Sequence, residues 1–140
     1  MADGNTALYT YLQTKTGVTN LISTRMYPDE LPQGHTLPCI VYRVISKNPE
    51  HDFGGTSPLT RYRFQLDSYA TTRLGADALA LAVWNAMDGY RGTMGTENAQ
   101  TCHMDNERSD VDAAIDATDV ARYITMQDWL IAFTDTAPTL

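Results

Sequence analysis

The sequence predicts one domain in which helices pack on a β-sheet, and three stretches carry that prediction. Arg61 to Ala70 alternates strictly, with Tyr62, Phe64 and Leu66 on one face and Arg61, Arg63, Gln65 and Asp67 on the other, as a half-buried strand requires. Directly after it, Ala76, Leu79, Ala80, Val83, Ala86, Met87 and Tyr90 recur at the spacing of an amphipathic helix. Val120 to Thr134 then carries Tyr123, Ile124, Trp129, Leu130, Ile131 and Phe133 as a long strand. Its alternation changes phase near Gln127 and Asp128, the mark of a bulge or of burial on both faces.

The remaining elements follow in chain order. Asp3 or Thr6 can cap a first helix that runs to about Thr16, with Leu8, Tyr11 and Leu12 buried and Gly17 as its stop. A short helical turn from Val18 to Ser23 is expected next. Pro28, Pro32, Gly34 and Pro38 make Tyr27 to Pro38 an extended loop, because proline removes backbone donors. Cys39 to Lys47 alternates as a strand partly covered on both faces. It joins the Arg61 strand through the long loop Asn48 to Pro58, which makes the pair a hairpin; a connection of that length is more often functional than idle. Thr71 or Thr72 caps the main helix, and Gly89 ends it. Leu74, Ala78, Leu81 and Trp84 leave the reverse side of that helix with little polar surface, so a second cover is expected there, such as another subunit. A glycine-rich turn, Gly92 to Gly95, leads to a strand from Ala99 to Met104, and then to an acidic connector. The tail, residues 135–140, reads as loose.

At 140 residues the chain has the size of one domain, residues 1–140, and 43% hydrophobic with 19% charged residues is ordinary for a globular protein. No apolar run is long enough for a membrane span, and the start of the sequence lacks the pattern of an export signal. The formal charge is -7. Its late excess consists of Asp105, Glu107, Asp110, Asp112, Asp116, Asp119 and Asp128 against Arg108 and Arg122. Nucleic-acid binders show the opposite sign, so the charge argues against tight DNA or RNA binding by this surface; it is compatible with a negative wall that DNA slides past. Cys39 and Cys102 lack metal-ligand spacing and read as two reduced thiols.

No constellation carries recognisable chemistry. His51-Asp52 before Phe53-Gly54-Gly55 has no nucleophile paired with it, and reads as a contact loop. His103, Asp105 and Glu107 have period-two spacing and would share a face if the strand persisted, but Asn106 to Asp110 reads as the exit turn. Gly89 to Gly95 lacks the lysine of a phosphate loop. Arg61 and Arg63, with Arg43 across the hairpin, are expected to pair with acids within the chain or across a subunit boundary. Trp84 and Trp129 read as core or interface anchors.

The order of several motifs resembles a known family. These are Ala7-Leu8-Tyr9, Val18 to Ile22, Arg25-Met26-Tyr27-Pro28, Leu31-Pro32-Gln33-Gly34, Leu37-Pro38 and Ile40-Val41-Tyr42 with Ile45-Ser46. Arg63-Phe64-Gln65-Leu66-Asp67, Tyr69-Ala70, Ala76 to Ala86 with Met87-Asp88-Gly89, Asp105 to Arg108 and Asp128-Trp129-Leu130-Ile131 follow. In this order they resemble the tail-completion, or tail-terminator, proteins of long-tailed phages and phage-like particles, typified by the gp17-like proteins. The chain departs from that pattern at Cys39, where the family often has an aromatic, and at Val111-Asp112.

The resemblance implies an α+β fold with a mainly antiparallel sheet. With the elements above, the expectation is four to five strands packed against one long and one or two short helices. It also implies a homohexameric ring on the head-proximal end of a tail tube, in the virion or a phage-like particle, with no catalytic residue, metal or cofactor. The implied partners are further copies of the chain, the major tail tube protein and the head-tail connector, with double-stranded DNA passing through the lumen unbound. Residues expected at subunit or partner contacts are His51, Asp52, Phe53, Gly54, Gly55, Arg61, Arg63 and Trp84. Asp105, Glu107, Asp110, Asp112, Asp116 and Asp119 are expected to face the lumen. Two alternatives stand beside it: a neck protein on the connector side, and a small metal-dependent hydrolase using His51, Asp52, His103, Asp105 and Glu107.

Overall fold

The computed structural model describes residues 2–50, 59–114 and 119–135. In chain order the elements are α1 (Gly4–Gln13), α2 (Thr16–Ile22), β1 (Met26–Pro28), β2 (Cys39–Pro49), β3 (Leu59–Ala70), α3 (Arg73–Met87), β4 (Gly92–Met94), β5 (Glu97–Asp112) and β6 (Arg122–Thr134). The strands form one curled sheet in the order β1-β2-β3-β6-β5-β4, in which β1 runs parallel to β2 and the other neighbours are antiparallel. The class is α+β. The strand count is higher than expected, because β1 and β4 are three residues each, β1 overlapping the start of the proline loop and β4 inside the glycine turn, too short for any alternation to show.

The register puts Ile40, Tyr42, Tyr62, Phe64, Leu66, Trp129, Ile131 and Phe133 on one face, and the three helices pack on it. Burying these side chains drives the fold, at roughly 1.5–3 kcal/mol for each large one. α1 is shorter than its periodicity predicts: it ends at Gln13, because the Thr14 hydroxyl donates to the Tyr11 carbonyl at 2.6 Å and closes the turn. Gly17 accordingly lies inside α2 rather than stopping α1. At its start, Asp3 accepts from the Thr6 N–H, and Thr72 caps α3 by accepting from the Gly75 N–H at 2.9 Å. Gly95 turns β4 into β5 at φ +62°, and a Cβ there would come within 3.1 Å of the Ala7 Cα, so the turn needs glycine twice over.

β6 occupies the middle of the sheet and buries Gln127, Asp128 and Trp129 in succession. Gln127 is fully buried on the helix face. Its amide donates to the Ala80 carbonyl of α3 at 3.0 Å, and its oxygen accepts from the Trp129 indole at 3.2 Å. This polar strut explains the phase change in the sequence: both faces of β6 are covered here, and the bulge lies on the neighbouring strand. Between Met104 and Asn106 the β5–β6 register shifts, leaving Asp105 as the extra residue.

β5 also corrects the reading of an acidic connector after Met104. It continues through Asn106, Glu107, Arg108, Ser109 and Asp110 to Asp112, each paired with β6. These residues bury no side chain and are poor strand formers, so backbone pairing with β6 overrides local propensity.

Candidate assembly surfaces

Opposite the helices, the sheet presents a face of matched charges. Arg43 on β2 donates to Asp67 on β3 at 3.2 Å, and the Gln65 amide donates to the other oxygen of Asp67 at 2.9 Å. Arg63 donates to Asp105 at 2.8 Å and to Asp128 at 3.0 Å, and Arg108 donates to the same Asp128 oxygen at 3.2 Å. Arg61 meets Glu50 at 2.5 Å. The arginines of the hairpin thus find their acids within the chain. Asp105 reaches Arg63 because it is the bulged residue. The sequence points to the arginines but not to Asp128 as their shared acceptor, since that meeting depends on the register of β3, β6 and β5.

Asp67 is the buried member of this network, at 3% exposure. Burial raises its carboxyl pKa, and the Gln65 bond and the Arg43 charge only partly oppose this. Arg63 shifts the other way in charge terms: its hydrogen bond to Asp105, with that to Asp128 behind it, holds the guanidinium more firmly protonated. On the same face a groove of about 280 Å³ runs between Ser46 and Asn48 on β2 and Thr101 and His103 on β5, over Arg61, Arg63, Leu130 and Ala132.

The second surface is the outer side of α3. Leu74, Leu81 and Trp84 are 81%, 58% and 40% exposed, while Ala76, Leu79, Ala80, Val83 and Met87 face the core. The second cover expected from the sequence is therefore not supplied by the described residues. A groove of about 560 Å³ separates this side from the far half of β5, lined by Asp77, Leu81, Trp84, Met104, Glu107 and Ser109.

The acids expected at a lumen do not form one wall. Asp105, Asp110 and Asp112 belong to the helix-free face, whereas Glu107 is on the helix face and accepts from Gln127 at 2.8 Å. Asp112 and Asp119 both bind Arg122, at 2.9 and 3.4 Å. His51, Asp52, Phe53, Gly54, Gly55 and Asp116 lie outside the described residues. The strand does persist through Glu107, but the Asp105 bulge sends His103 and Glu107 to opposite faces, so His103, Asp105 and Glu107 do not converge. Among the described residues no group of three or more His, Cys, Asp or Glu side chains is placed to hold a metal ion.

Cys39 and Cys102 are both free and buried. Desolvation pushes their thiol pKa values up, to about 11 and about 12.

The fold has a solved counterpart. A chain from a structure described as "Virion of native gene transfer agent (GTA) particle" superposes with a TM-score of 0.61 at 15% identity, over 93% of each chain. Among curated proteins, none matches the chain in sequence. The family model of "Tail completion protein gp17" matches residues 6–121, a span from α1 to the residue before β6 that includes β2, β3, α3 and β5. By that match the chain belongs to the gp17 tail completion protein family, and its role is a structural one in the assembly of a phage tail.

Proposed function

We propose that the protein caps the head-proximal end of a phage-like tail tube as a homohexameric ring, ends tube polymerisation and forms the joint to the head connector. The observation that carries this reading is family membership in a chain that, among the described residues, exposes an apolar helix side and open strand edges as contact features. The fold shared with a chain of a gene transfer agent virion supports the same setting. No catalysis is needed for such a role.

On this reading the helix-free face borders the lumen, with Asp105, Asp110 and Asp112 on it. A surface whose arginines are already neutralised by acids, in a chain of net charge -7, offers DNA phosphates no free cation to displace their counterions and lets the duplex pass. Glu107, on the helix face, stands away from the lumen.

The test is assembly. Native mass spectrometry of the concentrated protein is expected to show a six-copy species, and its addition to polymerising tail tube protein is expected to stop tube growth. A protein that stays monomeric at high concentration, even with tail tube protein present, overturns the reading. Capture of connector components but not of tube protein would instead place it on the connector side of the neck.

A further inference from the structure

The two long outer strands are each blocked at one end and open at the other. β1 covers β2 only at Ile40, Val41 and Tyr42, so the edge of β2 from Arg43 to Pro49 faces no strand among the described residues. β4 covers β5 only at Glu97, Asn98 and Ala99, and the Gly89 N–H takes the Cys102 carbonyl at 2.8 Å. From His103 to Asp112, β5 has β6 on one side and no described strand on the other. Open edges of this length carry unpaired backbone donors and acceptors, the usual template for joining another chain.

The edges carry opposite residual charge. Of the four acids near the β5 edge, Asp105 pairs with Arg63 and Asp112 with Arg122, but Glu107 and Asp110 form no ion pair among the described residues. On β2, Lys47 is exposed and likewise forms no ion pair there, and Ile45, two residues before it, is 48% exposed at a bulge. Lys47 lies opposite Tyr62, on the helix face; Glu107 lies opposite Gln127, on the same face.

We propose that the open edge of β2 in one copy of this chain pairs with the open edge of β5 in the next, antiparallel, with Lys47 opposite Glu107. This rests on the ring reading above and specifies its contact. β2 and β5 run in opposite directions within one sheet, so a neighbour turned about an axis along the strands presents them antiparallel. From Lys47 opposite Glu107 the register continues with Ser46 opposite Arg108. Past the Ile45 bulge it sets Val44 opposite Ser109 and Arg43 opposite Asp110, each couple on a common face. Both acids left without a cation then meet a base. Because β1 and β4 block opposite ends, the copies cannot join flush and must slip by about four residues, roughly 13 Å. A fixed slip of this kind between strands is what closes a sheet into a barrel. The contact is head-to-tail, joining different patches, so it closes into a ring or continues as a filament, and does not stop at a dimer.

The test is charge exchange at two exposed positions, read by sedimentation velocity and native mass spectrometry of the full chain. Lys47→Glu and Glu107→Lys are each expected to raise the midpoint concentration for assembly by about tenfold, more at low salt than at high. An equimolar mixture of the two is expected to restore the wild-type midpoint. Alternating copies then place Glu at position 47 against Lys at position 107, and native Lys47 against native Glu107. Two single variants that assemble as well as wild type, or a mixture no better than either alone, overturn the edge pairing while the ring stands. A wild-type protein that never assembles removes the ring, and this contact with it.

Discussion

β3 and the far half of β5 lie in one sheet with β6 between them, and different forces hold them there. β3 is paired along both edges and sends Tyr62, Phe64 and Leu66 into the core, all at 3% exposure or less. The far half of β5 is paired along one edge and buries no side chain; its register is kept by β6 and by ion pairs at Asp105, Arg108 and Asp112. The first arrangement is set by the hydrophobic effect and is complete within the chain. The second is incomplete by design of the backbone, and a neighbour can complete it. Within one small sheet, stability and association are thus assigned to different strands.

The largest blow to this contrast would come from β3. Phe64 is fully buried and stacks on Tyr62 with ring centroids 5.2 Å apart, so Phe64→Ala is expected to cost about 3–5 kcal/mol. Urea unfolding of the dilute protein measures it, and a loss below about 1 kcal/mol would show that β3 is not the anchor.

A smaller effect is expected from Asp67, on the other face of the same strand. Its folded pKa is raised above the ordinary 3.8, so the unfolded chain gives up this proton at lower pH than the folded one. Stability from this group is therefore fully present below 3.8 and falls as pH rises through the folded value. Asp67→Asn is expected to raise the melting temperature at neutral pH, with the gain shrinking as pH falls towards 3.8. A gain that grows towards acid pH would reverse the sign of the burial argument.

The smallest effect belongs to β5. Val111 is 51% exposed, and Val111→Ala in the dilute protein should change stability by no more than about 0.5 kcal/mol. In the same sample, amides from His103 to Asp112 are expected to exchange faster than those of β3. Equal protection would erase the distinction between the two strands.

The same difference explains what could be read from the sequence. β3 and α3 were legible because burial leaves a period in the side chains, two for the strand and 3.6 for the helix. The far half of β5 left no period, since nothing there is buried, and Asn106 to Asp110 resembles a turn in composition. β1 and β4 were invisible for want of length. At the charged face, Arg43, Arg61 and Arg63 were legible as a group seeking acids. Their partners were not, because the bulge at Asp105 and the position of Asp128 on β6 are products of the register. The Gln127 strut left only a change of phase, which the residues could not distinguish from a bulge in its own strand.

The two cysteines have a consequence for the chemistry the particle can withstand. The nucleophile in thiol chemistry is the thiolate, and with pKa values near 11 and 12 inside a packed sheet, Cys39 and Cys102 hold almost none of it at neutral pH. In the folded chain both thiols are thereby poor nucleophiles for disulfide exchange. The chain is also a blank background for labelling: a cysteine placed at Lys47 or Glu107 would be the reactive thiol of the molecule, and a dye or cross-linker attached there would report on the strand edges alone.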